Sequence, residues 1–205
     1  HAARTGGLTN VRGIGNTTAA VITQAVNGAV PDYLASLQSA HTELTDDAAA
    51  LFDALRGDLH AHTNWSDGGA PLSEMADAAQ AFGQDWLAIT DHSPRLTVAN
   101  GLSAERLEQQ IADIDTINTT RSDGLRILSG IEVDILDDGS LDQSEELLAR
   151  LDIVTASVHS KLKMDAAPMT ARMTAAVSNP RVNVLGHCTG RRVPGGRGRR
   201  APPEF

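Results

Sequence analysis

The chain is poor in aromatic residues, with one Tyr, two Trp and three Phe among 205 residues. Its core must therefore be built from Ala, Leu, Ile and Val. A single cysteine excludes an intramolecular disulfide framework and a Cys-only metal site. No apolar run approaches the roughly 20 residues of a membrane helix, and no signal-peptide pattern opens the chain. The expectation is a soluble, cytoplasmic protein with no membrane partner. Basic residues are also in the minority, 17 Lys+Arg against 26 Asp+Glu, for a formal net charge of -9. That balance excludes a uniformly basic nucleic-acid binder but leaves room for a local basic patch.

The charge that is present is unevenly placed. Residues 1–31 carry Arg4 and Arg12 and no acid, residues 57–150 carry 18 acidic and 5 basic residues, and Arg191–Arg200 holds five arginines. These shifts divide the sequence into a helical module at 1–40, a linker or helix at 41–55, a main domain at 56–192 and a basic Gly/Arg/Pro-rich end at 193–205. The chain begins at His1 rather than Met and closes on Ala201-Pro-Pro-Glu-Phe205, so it reads as a fragment.

Within the main domain, strand-like and helix-like stretches alternate. A short strand opens at Gly57–His60. Leu72, Met75, Ala76, Ala79 and Phe82 recur at helical spacing between Pro71 and Gly83. Trp86–Thr90 is continuously apolar up to its final Thr, as in a strand buried on both faces. Ser103 can cap a helix with the stripe Leu107, Ile111, Ile114 and Ile117. Further strands are expected at Arg126–Val133, Asp152–Val158 and Val182–Leu185, with helices near Gln143–Arg150 and Met169–Val177. Such alternation implies parallel strands covered by helices, in an open sheet or a barrel.

Five of the seven histidines follow these strands: His60 and His62, His92, His159 and His187, while Glu132 ends the third strand. Residues two apart on a strand face the same side, so His60 and His62 can address one ion. The carboxyl ends of parallel barrel strands converge on one rim. Any one histidine there is ordinary, and His1 and His41 are left as such. A histidine or glutamate after every strand points instead to a metal site. Mixed imidazole and carboxylate ligands favour Zn, Mn or Fe over Mg alone. Six or seven ligands exceed the needs of one tetrahedral ion, which implies two or three divalent ions. Such clusters generate hydroxide near neutral pH and neutralise phosphoryl charge, the requirements of phosphoester hydrolysis.

Five segments then carry a specific resemblance: Gly57-Asp-Leu-His-Ala-His-Thr-Asn-Trp-Ser-Asp-Gly68, Ala88-Ile-Thr-Asp-His-Ser93, Gly130-Ile-Glu-Val-Asp-Ile135, Ser157-Val-His-Ser160 and Gly186-His-Cys-Thr-Gly-Arg191. In order and spacing they resemble the motifs of the polymerase and histidinol phosphatase (PHP) superfamily, in the form found in bacterial family X DNA polymerases. The resemblance implies an α/β fold, a distorted (β/α)7 barrel cut to about five β/α units, with a small helical N-terminal module. It implies the ligand set His60, His62, Asp67, His92, Glu132, His159 and His187, acting in catalysis through the bound ions. The family's late Asp-x-His pair lies beyond this sequence, so the expected centre is incomplete. Read from its residues alone, Ser66-Asp67-Gly68-Gly69 is also simply a good turn. Cys188 is a small residue beside a ligand or an additional thiolate. Lys161 and Arg191 are phosphate contacts or solvated charges.

Leu8-Thr-Asn-Val-Arg-Gly-Ile-Gly15, with helical Thr17–Val26 after it, resembles the hairpin and second helix of a helix-hairpin-helix motif. Backbone amides at Gly13, Ile14 and Gly15 would then meet a DNA phosphate. Asp113-Ile-Asp115 has the spacing of polymerase carboxylates but falls on a helix face. Three functions follow from these readings. The first is a metal-dependent phosphoesterase at DNA ends, a 3′-to-5′ exonuclease of the kind used in DNA repair. The second is a phosphatase for phosphorylated small molecules, and the third is a non-catalytic docking module. Oligomeric state is not legible.

Overall fold

The computed structural model describes residues 2–39 and 45–188. His1, His41, Arg191 and the basic end at 193–205 lie outside the described residues. The chain forms two compact units, residues 1–54 and 55–205. The first contains the helices α1 (Ala2–Thr5), α2 (Asn16–Val26), α3 (Asp32–Ser39) and α4 (Asp46–Ala54). Gln24 on α2 holds the start of α3 by a reciprocal pair. Its amide donates to Asp32 Oδ2 at 2.6 Å, and the Asp32 amide donates to Gln24 Oε1 at 3.0 Å. Gly13 turns the chain at φ +90 before Gly15 leads into α2, whose N-terminus has neither a side-chain cap nor an acid in its first turn.

The second unit is an α/β fold. Its strands are β1 (Gly57–Ala61), β2 (Trp86–Ile89), β3 (Arg126–Asp134), β4 (Ile153–Ser157) and β5 (Val184–Leu185). All neighbours are parallel and their order in space is their order in the chain. The sheet curls into a half-barrel. Helices α5 (Leu72–Ala81), α6 (Ala104–Thr120), α7 (Glu145–Leu148) and α8 (Ala166–Val177) form the connections, as parallel pairing requires.

β3 is the pivot of the curl. Arg126–Ser129 pairs with β2, whereas Gly130–Asp134 pairs with β4. Alternation sends Ile131 and Val133 into the helix-facing core and turns Gly130, Glu132 and Asp134 to the opposite side. That core is aliphatic. Leu107 on α6, Leu148 on α7 and Val154 on β4 pack around β3, each such side chain contributing about 1.5–3 kcal/mol by leaving water. A second cluster joins Ile89 and Ile127 to Ala76 and Ile114, and Trp65 lies against both.

Two expected elements are shorter than their patterns. α7 is one turn, capped by the Ser144 hydroxyl accepting from the Leu147 amide at 3.3 Å. The chain must leave it by Leu151 to enter β4. β5 starts only at Val184 because the Asn183 side chain, not backbone, accepts from the Val154 amide at 2.8 Å.

The loops after the strands are pinned by arginines from the helices. Arg172 of α8 is buried. Its Nε donates to Leu136 O at 2.8 Å and its Nη1 to Ser160 O at 3.0 Å, while Nη2 donates to Ile135 O. One guanidinium thus joins the segments following β3 and β4. Arg106 of α6 does the same for the earlier loops, donating to Asn100 O at 2.8 Å, Gly101 O at 3.1 Å and Trp65 O.

Gly130 marks the strand crossing most sensitive to volume. A Cβ there would lie 2.8 Å from Ile89 O and 2.9 Å from Ile153 O, both backbone. Gly130→Ala is expected to lower unfolding stability by about 1–3 kcal/mol, read as a lower urea midpoint. An unchanged midpoint would show that β3 yields freely at its pivot.

Candidate metal centre

The carboxyl ends of all five strands deliver side chains to one place. Glu132 stands at the middle, on the central strand, with 0% of its surface exposed. Its two oxygens face different halves of the sheet. Oε2 lies 3.3 Å from His62 Nε2, 3.1 Å from His92 Nδ1 and 3.7 Å from His60 Nε2, from the β1 and β2 side. Oε1 lies 3.2 Å from His159 Nε2 and 2.9 Å from His187 Nε2, from the β4 and β5 side.

Local structure explains each position. His60 is on β1 and His62 just past it, with ring centroids 4.9 Å apart, as two-residue periodicity predicts. His92 follows β2, where an isolated parallel bridge sets it beside Glu132. Asp67 sits on the turn after β1, its Oδ1 3.6 Å from His62 Nδ1 and 3.7 Å from His92 Nε2. His187 adopts φ +50 two residues after the end of β5.

These groups lie at ion-pair distances but with poor hydrogen-bond alignment. Both Glu132 oxygens, His62 Nδ1 and His92 Nδ1 are buried with no hydrogen-bond partner. Convergent, buried and unsatisfied lone pairs are costly by themselves, and a cation would satisfy them. Among the described residues, three overlapping groups have ligand atoms within 4.8 Å of one another: His60, His62 and Glu132; His62, Asp67 and His92; His92, Glu132 and His159. Their mixed nitrogen and oxygen character suits a transition-metal dication.

The electrostatics follow from this crowding. Burial alone would raise the Glu132 pKa, but the imidazoles of His159, His187 and His62 outweigh it and hold the carboxyl far below its usual range. Burial depresses His60 and His92. For His62 burial is outweighed by Glu132, and its pKa rises. For His159 burial is outweighed by Asp134 and Glu132, which raise it to about 9.

Two carboxylates at the site carried no separate expectation. Asp134 Oδ1 lies 2.5 Å from His159 Nδ1, which fixes that ring and directs Nε2 toward Glu132. Its signal was its place two residues beyond Glu132, hence on the same face. Asp91 is buried and accepts from the Thr63 amide at 2.8 Å, Thr63 Oγ1 at 2.6 Å, Ser66 Oγ at 2.5 Å and Gln110 Nε2 at 2.6 Å. It anchors the turn that carries Asp67. Lys161 stands apart from the cluster, its Nζ 2.5 Å from Asp137 Oδ2. Cys188 is exposed.

In the metal-free protein, the raised His159 pKa stabilises the fold fully below about pH 6.5, and that contribution is lost as pH rises through about 9. The unfolding free-energy difference between the protein and His159→Gln should shrink across this window in urea titrations. A difference independent of pH would place the charge elsewhere.

Comparison with known proteins places relatives along the same part of the chain. The DNA polymerase/3′-5′ exonuclease PolX of Bacillus subtilis (strain 168) is 46% identical over 151 residues, 74% of this chain and 26% of that protein. Probable phosphatases of Thermoanaerobacter sp. (strain X514) and Acetivibrio thermocellus are each 34% identical over 63% of this chain, covering 52% and 53% of their own lengths. The chain therefore spans about a quarter of the first relative and about half of the other two. Residues 58–182, which run from β1 to the approach to β5 and hold all but one of the converging side chains, match the PHP domain, and the chain belongs to that family.

Proposed function

We propose that this chain carries most of the ligands of the centre of a metal-dependent phosphoesterase that acts at DNA ends as a 3′-to-5′ exonuclease. The observation that carries the reading is Glu132, a buried carboxylate whose two unsatisfied oxygens face imidazoles from both halves of the sheet. His60, His62, Asp67, His92, Glu132, His159 and His187 would hold two or three divalent ions, Zn, Mn or Fe. When bound, such ions polarise a phosphoryl oxygen and make water nucleophilic near neutral pH.

The remaining work belongs to the protein. Glu132 ties the two halves of the ligand set together. Asp134 holds His159 in one ring orientation, and Asp91 holds the Asp67 turn. Lys161 and Arg191 are assigned to substrate phosphate. For Lys161 this means exchanging Asp137 for the ligand. The choice of DNA is supported by the likeness to the Bacillus exonuclease and by the turn at Gly13, Ile14 and Gly15, which precedes a helix start without a side-chain cap. The Ile14 amide is taken by Val11 O at 3.0 Å, so the donors left for a phosphate are those of the first turn of α2. The likeness to probable phosphatases favours a second reading, hydrolysis of phosphorylated small molecules.

Glu132→Gln keeps the size of the side chain and removes its charge. Hydrolysis of labelled oligonucleotide and of p-nitrophenyl phosphate in Mn or Zn should fall by more than the roughly 10- to 100-fold typical of outer-shell changes. Circular dichroism should show the fold retained, and an active, folded variant would refute the assignment. Hydrolysis of small monoesters without oligonucleotide cleavage would favour the second reading. DNA binding with no hydrolysis in any metal would identify a docking module.

Gly13→Val forces a β-branched residue into φ +90. It is expected to weaken DNA binding, read as a higher Kd at fixed salt, because a misplaced turn no longer presents its amides to a phosphate. Unchanged binding would remove the turn from the DNA interface.

A further inference from the structure

One wall of the metal centre is apolar. Leu96, Val98 and Ala99 line the same cavity of about 340 Å³ as His60, His92 and Glu132. Ala99 is buried and Leu96 half-buried, but Val98 is 92% exposed at the mouth. An aliphatic side chain held almost wholly in water beside a highly polar site contributes nothing to the core.

The turn that presents it is closed by a dense set of hydrogen bonds. The Leu96 amide donates to Ser93 O at 3.3 Å, Ala99 to Leu96 O at 3.0 Å and Asn100 to Thr97 O at 3.1 Å. The Leu102 amide returns to His92 O at 2.7 Å. The Arg95 amide is held by Asp142 Oδ2 at 2.7 Å, and Asn100, at φ +55, donates from Nδ2 to Trp65 O at 3.1 Å. Gly101 admits no side chain, since a Cβ would meet Ser93 O at 1.8 Å. The turn is tied through His92 to the centre itself, which sets Val98 beside any phosphate held there.

We infer that Leu96 and Val98 form a specificity wall that takes the apolar face of the nucleoside attached to the scissile phosphate. The inference rests on the phosphoesterase reading and deepens it by naming what lies next to the phosphate. Imidazoles and carboxylates on the other walls offer charge and metal ligation. Among the described residues of the lining, only the 96–99 side offers aliphatic contact to a sugar or base, and a small, fully hydroxylated leaving group gains less there. The cavity is of the size that holds a small organic ligand.

The test compares thymidine monophosphate with inorganic phosphate, titrated calorimetrically into the Mn-loaded protein and into Val98→Asp. Val98 is exposed, so the substitution leaves the core intact, and a Mn titration of the variant checks the centre. The protein should bind the nucleotide more tightly than phosphate, and the variant should lose about tenfold of that preference. Val98→Ile should retain it. Equal affinity for the two ligands, or a preference unaltered by Val98→Asp, overturns the wall while leaving the phosphoesterase reading standing. Failure of the protein to bind either ligand overturns the phosphoesterase reading itself, and the wall with it.

Discussion

A carboxylate closed off from water has to be compensated, and the second unit is organised around that requirement at Glu132. Removing a charge from water costs several kcal/mol even after the protein relaxes. The five surrounding imidazoles come from β1, β2, β4 and β5 or the residues after them, so every other strand answers to the one in the middle. Imidazoles can meet the charge partly by protonation, as His159 does. They do so with poor alignment, which leaves oxygens and nitrogens unsatisfied. Geometry that suits a cation better than it suits a proton is the signature of a ligand shell.

Such a shell is only as precise as the loops that hold it. Here the loops are held from outside. Arg106 and Arg172 reach from α6 and α8 to backbone carbonyls of consecutive loops, and Asp91 gathers four donors from the β1 turn and α6. Neither arginine bonds a carboxylate among the described residues, so each directs its donors to main-chain and hydroxyl oxygen. The helices thereby do more than cover the sheet.

Strand identity and the histidine pattern were legible because both depend on neighbours in sequence. Trp86–Ile89 is apolar throughout, and His60 and His62 are two apart, so local periodicity suffices. The resemblance to PHP motifs rested on the same short segments. The anchoring groups were not legible, since Arg172 meets residues 12 and 36–37 positions away and Asp91 meets Thr63 28 positions away. Nothing near Val98 announces that it would stay in water, because its exposure is decided by a turn closed through Leu102, Arg106 and Asp142. The short β5 was hidden for a similar reason: an Asn183 side chain took a place that periodicity assigned to backbone.

The order of strands in space repeats their order in the chain. During synthesis each β/α unit can therefore dock on the one made just before it, with no gap left for a later strand. The histidines of β1 and β2 leave the ribosome before Glu132, and those of β4 and β5 after it. A nascent chain stalled after β2 holds three imidazoles but not the carboxylate that they surround. Glu132 arrives third, in time to be enclosed by the last two. Its desolvation is thus completed late, when the segments able to shield it already exist.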